Sequence, residues 1–419
     1  MKKTIFFLSA LLCWAVTTTV FTSCISNEDN PTPAPTPTPT PKVVDLGTLT
    51  DAYTALDGQT LTGTLARVVQ ITVAPGASIT LEDVSINAEG EVYQDNPFAG
   101  ITCLGDATIT LSGDNVIRGF SNFYPAIFVP EGYTLTIQGD GSLDVKGSGY
   151  YNIMCAAIGS VRAGAPCGNL VFLGGKIYAE GGRYCAAIGA SYASVCGDIT
   201  IGGTAEITVN SNDGAGIGTG SGPYENMSIC GDITIGGQAK VEAIGLPAIG
   251  AYYVAKCGNI TIGEDADVVA EGVDIAPGIG CGSSYTWCKE ITISGGHVIA
   301  SCEEYGPGIG TSCGDYSICD GITITGGTIL AIGGEDGPGI GSGPESEFGV
   351  PIVITSGATE VTTIRGSYEA DFIGTGAYGT RGSVTIDGVE DATPESTFTH
   401  FESFSFEYRW TILNKSAIY

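Results

Sequence analysis

Residues 196–203 read Cys-Gly-Asp-Ile-Thr-Ile-Gly-Gly, and residues 230–237 repeat these eight residues without a change. Related copies begin at six cysteines: Cys167, Cys196, Cys230, Cys257, Cys288 and Cys319. The intervals between them are 29, 34, 27, 31 and 31 residues, so the unit is about 30 residues long. Such a period is typical of solenoids and propellers, but a propeller blade of the WD40 type needs about 40–45 residues. The spacing therefore favours a solenoid.

Each unit carries three short apolar segments. In Ile-Thr-Ile the apolar residues lie at i and i+2, the spacing of a strand with one buried face. Val-x-Ala has the same spacing, and Gly-Ile-Gly places one apolar residue between glycines that permit a tight corner. Three such strands form one coil of a parallel β-helix. The sequence therefore predicts an all-β, right-handed parallel β-helix (solenoid) of about ten coils with N- and C-terminal caps.

The N-terminus has the pattern of a bacterial lipoprotein leader. Lysines at positions 2 and 3 precede an apolar run over residues 5–20, which is short for a membrane span. Residues 21–24, Phe-Thr-Ser-Cys, resemble a lipobox, although Phe21 stands where leucine is usual. Residues 25–30 contain the acidic pair Glu28 and Asp29, and this resembles the signal that exports lipoproteins of Bacteroidetes. We expect lipidation of Cys24 and an outer membrane lipoprotein exposed to the extracellular side; an ordinary signal peptide is the alternative.

The rest of the chain divides by composition. Residues 31–41 alternate proline with other residues, mostly threonine, which favours an extended polyproline II spacer. Near the C-terminus, apolar side chains alternate strictly from Phe404 to Ile412, as in a strand laid over the last coil, with a partner-docking strand as the alternative. The predicted segments are a signal peptide (1–23), a lipidated N-terminus and Pro/Thr linker (24–42), an N-terminal cap and first coils (43–104), β-helix repeats (105–387) and a C-terminal capping segment (388–419).

The repeats also resemble a known group. The segments 57–64 and 100–106, together with the Cys-Gly-Asn/Asp-Ile-Thr-Ile…Gly-Ile-Gly series, are similar to β-helix surface lipoproteins of Bacteroidetes. Those are described as carbohydrate-binding-domain-like or adhesin-like. The resemblance covers about residues 43–387. It implies the fold and points to surface binding, without naming a ligand.

The charge of the chain limits its partners. The formal net charge is −29 at pH 7. Such a chain repels phosphate backbones and anionic lipid, so we expect no nucleic-acid partner. The acidity is best explained by solubility at a surface, and capture of Ca²⁺ by clustered carboxylates is the second interpretation. The sequence predicts no other cofactor.

Fourteen cysteines occur, and six of them occupy one repeat position. Stacked Cα atoms at about 4.8 Å lie within disulfide range, but stacked side chains point in parallel, whereas a disulfide needs a dihedral near 90°. We favour buried free thiols that fill an inner corner. Disulfides stay open as an alternative, and zinc is the least favoured, since no Cys-x₂-Cys or Cys/His pair occurs.

Catalytic residues are scarce. The two histidines, His297 and His400, lie apart, and the arginines are scattered among different coils. Catalysis needs distinct residues that converge at a break in the repeats, and no break is visible. We therefore predict no enzymatic activity and no catalytic residue.

Aromatic residues recur in the loop after Gly-Ile-Gly. The predicted ligand-binding residues are Tyr192, Tyr224, Tyr252, Tyr285, Trp287 and Tyr316. Acidic residues recur in the loop before Gly-Ile-Gly: Asp213, Asp274, Glu303, Glu304, Glu335, Asp336, Glu369 and Asp371. The aromatic residues either stack on one another and stiffen the loops or form a platform for sugars.

Three functions remain open. The leading hypothesis is a non-catalytic surface lipoprotein that binds a polysaccharide, the glycan of a glycoprotein, or host and community surfaces. The second is a structural or adhesive rod without a small ligand. The third is a polysaccharide lyase or glycoside hydrolase of the β-helix class.

Overall fold

The computed structural model describes residues 42–91, 98–147, 154–355, 359–367 and 369–391. Within them the chain winds as a parallel β-solenoid, which confirms the predicted fold class. The predicted signal peptide, Cys24, the linker up to residue 41 and the alternating C-terminal segment lie outside the described residues. The solenoid is built from four ladders of strands that run along its length.

The first ladder contains the Ile-Thr-Ile segments, and we call it the Ile-Thr-Ile ladder. Its neighbouring strands pair in parallel from coil to coil. Its strands are Val43–Asp45, Thr60–Thr64, Ala77–Ile86, Ala107–Ser112, Thr134–Gly139, Asn169–Phe172, Ile199–Ile201, Ile233–Ile235, Ile260–Ile262, Thr286–Cys302, Ser317–Ile332, Ile352–Ile354 and Val384–Ile386.

The second ladder contains the Val-x-Ala segments, and we call it the Val-x-Ala ladder. Its own strands are Asp114–Arg118, Ser142–Lys146, Lys176–Glu180, Glu206–Asn210, Lys240–Gly245, Asp267–Gly272 and Thr359–Ile364. The three long strands Ala77–Ile86, Thr286–Cys302 and Ser317–Ile332 also belong to it, because they continue without a break from the first ladder.

The third ladder holds the Ile-Gly segments. Among the described residues it consists of twelve strands in strict sequence order: Tyr53–Ala55, Ile71–Val73, Ile101–Cys103, Ile127–Phe128, Ile158–Gly159, Ile188–Gly189, Ile217–Gly218, Ile249–Ala251, Ile279–Cys281, Ile309–Thr311, Ile340–Ser342 and Ile373–Thr375.

A fourth ladder was not predicted. The segments that end in the repeat cysteines form the short strands Val195–Cys196, Ser228–Cys230 and Ala255–Cys257, which pair onward with Thr286–Cys302 and Ser317–Ile332. We call it the cysteine ladder. The sequence indicated only a corner here, whereas the backbone stays extended for two or three residues before it turns.

The core follows the period of two that the strands impose. Ile199 and Ile201 are fully buried and Thr200 between them faces outward; Ile207 and Val209 enclose the exposed Thr208 in the same way. Since equivalent residues pair in register, isoleucine stacks on isoleucine through the solenoid. The interior is therefore one continuous apolar column.

Glycine is required where the Ile-Gly ladder turns. Gly218 has a φ of +134°, and a Cβ there would lie 2.0 Å from the carbonyl oxygen of Gly250 in the next coil. Gly250 stands in the same relation to Gly280. A side chain at this position would clash with backbone, which cannot move without breaking the ladder. The Gly-Ile-Gly signature thus reflects close approach of consecutive coils.

The repeat cysteines form a column of buried thiols. Cys196, Cys230, Cys257, Cys288 and Cys319 pair in register, and Cys167 lies below them with its Sγ 2.7 Å from that of Cys196. All six are free and buried. Their burial agrees with the predicted inward orientation of these side chains.

Side-chain oxygens also connect the coils beside this column. The backbone N–H of Asp232 donates to Asp198 Oδ1 at 2.9 Å, and that of Asn259 donates to Asp232 Oδ1 at 2.7 Å. Asp198 N–H donates in turn to Asn169 Oδ1 at 2.9 Å. The Asn/Asp after each Cys-Gly therefore satisfies a backbone donor of the following coil at a corner where the strands are interrupted.

The two described ends differ. At the N-terminal end, Val43–Asp45 already pairs with Thr60–Thr64, so the predicted cap begins with ladder strands and a 3-10 turn at Leu46–Thr48. At the other end, Val384–Ile386 pairs antiparallel with Val389–Glu390. This hairpin reverses the chain after the last described coil.

Candidate functional site

Four aromatic side chains from four coils contact one another along one side of the solenoid. We call Tyr224, Tyr285, Tyr316 and Phe348 the aromatic column. The ring centroids of Tyr224 and Tyr285 are 4.9 Å apart and perpendicular, whereas those of Tyr285 and Tyr316 are 5.1 Å apart at 26°. Phe348 continues the series at 5.9 Å from Tyr316. Three of these four are among the predicted ligand-binding residues.

The backbone places these rings one above another. Tyr285 and Tyr316 adopt left-handed φ values of 58° and 55° at the turn before the cysteine ladder. Thr286 and Ser317, the residues that follow them, pair in register. A left-handed tyrosine costs of order 1 kcal/mol, which a ring contact of about 0.5–1.5 kcal/mol can offset. Repetition of the turn therefore creates the column.

The column is open to solvent along its outer edge. Its four residues expose between 37% and 62% of their surface. Neighbouring rings cover part of each other's faces, so a ligand reaches mainly ring edges and hydroxyl groups. The hydroxyl oxygens of Tyr224 and Tyr253 are 3.2 Å apart, and this hydrogen bond raises the pKa of Tyr224 to about 12.

Trp287 lies in a strand and not in the loop that the sequence indicated. It belongs to Thr286–Cys302 and faces outward, 40% exposed. Its indole N–H donates to Asp320 Oδ1 at 2.8 Å, and Lys256 Nζ lies 5.2 Å from the ring centroid. The alternation of the cysteine ladder explains the position, because Cys288 points inward and its neighbour must point outward. Trp287 thus has a fixed orientation beside the column.

The structure does not place Tyr192 and Tyr252 in the aromatic column. Tyr192 packs with Tyr184 at 6.2 Å and with the Arg162 guanidinium at 5.3 Å. Tyr252 is half-buried beside Tyr253, and burial raises its pKa. Of this adjacent pair, it is Tyr253 that reaches Tyr224. Three of the six predicted ligand-binding residues therefore lie in the aromatic column, although all six had been assigned to equivalent loops.

The family model described as Beta helix repeat matches residues 174–192, 291–313 and 322–344. These stretches coincide with strands of the Val-x-Ala, Ile-Gly and Ile-Thr-Ile ladders. This chain is a β-helix repeat protein. Comparison with curated proteins and with solved structures finds no match.

The acidic loops of this β-helix repeat protein are partly paired with arginine. Arg183 Nε lies 3.8 Å from Asp213 Oδ2, and Arg381 Nε lies 3.4 Å from Asp371 Oδ2. In the part of the chain that the structure describes, no group of three or more His, Cys, Asp or Glu side chains is arranged to hold a metal ion. The Ca²⁺ interpretation stays a prediction. They also contain no helix with the length and apolar character needed to cross a membrane.

One of the two histidines lies among the described residues. His297 lies on the exposed face of the Val-x-Ala ladder, with its Nδ1 3.0 Å from Asp267 Oδ1. His400 lies outside the described residues. The absence of catalytic activity stays a prediction.

Two features near the column were missed in the sequence. Lys256 and Asp320 hold Trp287 from the coils on either side. Lys256 occupies the same repeat position as Trp287, so an alignment of the repeats could have placed it. Asp320 could not be found in this way, because its contact depends on the direction in which the indole lies.

Proposed function

We propose that this β-helix repeat protein is a non-catalytic surface lipoprotein that binds a long glycan along the aromatic column. The observation that carries the proposal is the series of solvent-exposed rings with centroids 4.9–5.9 Å apart, from Tyr224 to Phe348. An extended polysaccharide repeats over a similar distance. It could therefore contact several coils with the same kind of side chain.

The energetics require a polymer. A ring edge offers about 30–40 Å² to a sugar, which is worth about 1 kcal/mol at about 25 cal/mol per Å². Millimolar affinity corresponds to about 4 kcal/mol. One ring is therefore too weak, and a chain that touches all four rings and Trp287 gains affinity through effective concentration.

The proposed location follows from the N-terminal sequence. Lipid on Cys24 would anchor the chain in the outer membrane. The proline-rich residues 31–41 would then span about 34 Å as polyproline II and hold the solenoid away from the lipid. This arrangement would present the column to polymers outside the cell.

A structural or adhesive rod without a small ligand is the second candidate. The stacking of Tyr285 on Tyr316 favours it, because rings that cover each other's faces stabilise two left-handed turns without any ligand. The two candidates differ in what the loss of these rings would do: a binding protein loses affinity, and a rod loses only stability.

The test combines a glycan array with calorimetry. The array selects a polymer, and oligosaccharides of two to eight units are then titrated into the wild type and into Tyr285→Asn with Tyr316→Asn. Asparagine is chosen because it tolerates left-handed φ values. Tyr133→Asn, at an exposed tyrosine outside the column, is the matched control.

We expect affinity to rise at least tenfold between two and six units, to fall at least tenfold in the double variant, and to stay within twofold in the control. Affinity that is independent of length, or unchanged in the double variant, would contradict binding by the column. No binding to any glycan, together with a destabilised double variant, would favour the rod. New reducing or unsaturated ends in the incubated polymer would overturn the non-catalytic assignment.

A further inference from the structure

The outward face of the Val-x-Ala ladder carries opposite charges on successive coils. Arg118 Nη2 lies 2.8 Å from Asp144 Oδ2, and Lys146 Nζ lies 2.5 Å from Glu180 Oε1. On the strand Lys176–Glu180 of the same face, Lys176 Nζ lies 3.3 Å from Glu206 Oε2. Each of these cations is therefore held by a carboxylate of the next coil.

Two cavities lie on this face and share Tyr178 and Asp144 in their lining. The first has a volume of about 330 Å³ and is also lined by Arg118, Lys146 and Glu180. The second has a volume of about 290 Å³ and extends toward Glu206 on the next coil. Tyr178 therefore stands between the two cavities. We call the pair of cavities the Tyr178 groove.

Tyr178 differs from the rings of the aromatic column. It is 43% exposed, and among the described residues no second aromatic ring packs against it. In the register of the ladder it lies between Asp144 and Thr208, so both neighbours on its strand face are polar. Tyr178 lines both cavities without a stacked neighbour, whereas Tyr285 and Tyr316 stack on each other.

The polar lining is suited to hydroxyl groups. A sugar hydroxyl can donate to a carboxylate and accept from a lysine or arginine, and the groove presents both groups in fixed positions. The ion pairs already restrict the long side chains, so a ligand loses less entropy in ordering them. Burial, and then the carboxylates of Glu180 and Asp144, raise the pKa of Tyr178.

The lining also indicates the charge and size of the ligand. Every arginine or lysine of the groove is opposed by a carboxylate, and Glu89 adds one more negative charge. The described lining therefore carries no excess of positive charge that would attract a polyanion. The volumes are near the lower end of the range of about 300–1,000 Å³ that small-ligand sites occupy, which fits two or three sugar units.

We infer that the Tyr178 groove is a second binding site, which takes a short neutral oligosaccharide with sugar rings packed against the faces of Tyr178. The inference rests on the Val-x-Ala ladder and does not depend on the aromatic column. A short ligand in the groove and a long polymer on the column would be independent binding events.

The test is calorimetric titration with neutral trisaccharides of glucose, galactose, mannose and N-acetylglucosamine, and with trigalacturonate as the anionic comparison. Each is added to the wild type, to Tyr178→Ala and to Asp144→Asn. Asp144→Asn keeps the side-chain shape and removes one ion pair, so it tests the groove if Tyr178→Ala fails to fold. Tyr133→Ala and the double variant Tyr285→Asn with Tyr316→Asn are the controls.

We expect at least one neutral trisaccharide to bind with a Kd of 1 mM or lower, with affinity reduced at least tenfold by Tyr178→Ala or by Asp144→Asn. Both controls should bind it as the wild type does. The inference is overturned if no neutral trisaccharide binds at millimolar concentration, if trigalacturonate binds more tightly, or if both groove variants bind normally. If the double variant Tyr285→Asn with Tyr316→Asn loses polymer binding but retains trisaccharide binding, the two sites bind their ligands independently.

Discussion

Replacement of Cys230 by aspartate should destabilise the solenoid far more than the same replacement at Ile229. The two residues are neighbours on the strand Ser228–Cys230, but Cys230 is 2% exposed and faces the thiol column, whereas Ile229 is 39% exposed and faces solvent. The Cys230 Sγ has only the carbonyl oxygen of Gly197, at 3.8 Å, among oxygen partners. A carboxylate there would lie beside that carbonyl oxygen, which cannot donate a hydrogen bond to it.

The magnitude follows from the pKa of the buried carboxyl. Burial raises the pKa of a fully buried acid by about 3–5 units, so a shift from about 3.9 to about 8 costs about 4 kcal/mol at pH 7. Because the pKa in the folded state lies above that in the unfolded state, stability is retained below about pH 4 and lost as pH rises. At pH 4.5 the cost should fall to about 1 kcal/mol. Ile229→Asp should cost about 1 kcal/mol or less at either pH.

The assay is urea unfolding followed by far-UV circular dichroism, at pH 7 and at pH 4.5, on the wild type and both variants. The difference between the variants is the measured quantity, because it cancels the stability of the rest of the rod. Equal midpoints for Cys230→Asp and Ile229→Asp at pH 7 would refute the inward orientation of the thiol column. A Cys230→Asp variant whose stability does not rise between pH 7 and pH 4.5 would refute this orientation as well.

Four further predictions follow from the sequence and the coils. Cells fed labelled palmitate should label the wild type but not Cys24→Ala, and labelling that survives the substitution would exclude the lipobox. Brief alkylation of the native protein, read by mass spectrometry, should modify the half-buried Cys313 before any buried thiol. Burial raises the pKa of Cys185 from 9.0 to about 12, so this thiol should contribute stability below pH 9 that is lost as pH rises, about 1.4 kcal/mol by pH 10 in urea titrations. Asp232→Ala should cost about 1 kcal/mol, because the Asn259 N–H loses its acceptor, whereas Asp232→Asn should be nearly neutral in the same titration.

The fold was predictable because a few residues of each repeat determine the geometry of a coil. Ile-Thr-Ile fixes which side chains are buried, and the glycine of Ile-Gly marks where coils approach closely. The cysteine ladder was missed since two or three extended residues before a corner leave no periodic signal. The continuous strands Thr286–Cys302 and Ser317–Ile332 were missed for a related reason: their Gly-Gly pairs indicated corners, and the register shifts there without ending the strand.

The candidate sites were only partly predictable. Tyr285 and Tyr316 share a repeat position, and register brings them together. Tyr252 and Tyr253 are adjacent, and the sequence does not say which one points toward Tyr224. The Tyr178 groove depends on pairs such as Lys176 with Glu206, which become visible only when repeats are aligned strand by strand.

Consecutive coils are joined through short ladder segments, and this has a mechanical consequence. At the N-terminal end, Val43–Asp45 is held to Thr60–Thr64 by three residue pairs. A pull on residue 42 would release this segment before the coils beyond it, because it lies next to the point of pulling. Each released unit of about 30 residues adds about 100 Å of extended chain. Under tension such a rod would yield coil by coil and dissipate the load in increments, with the remaining coils still folded.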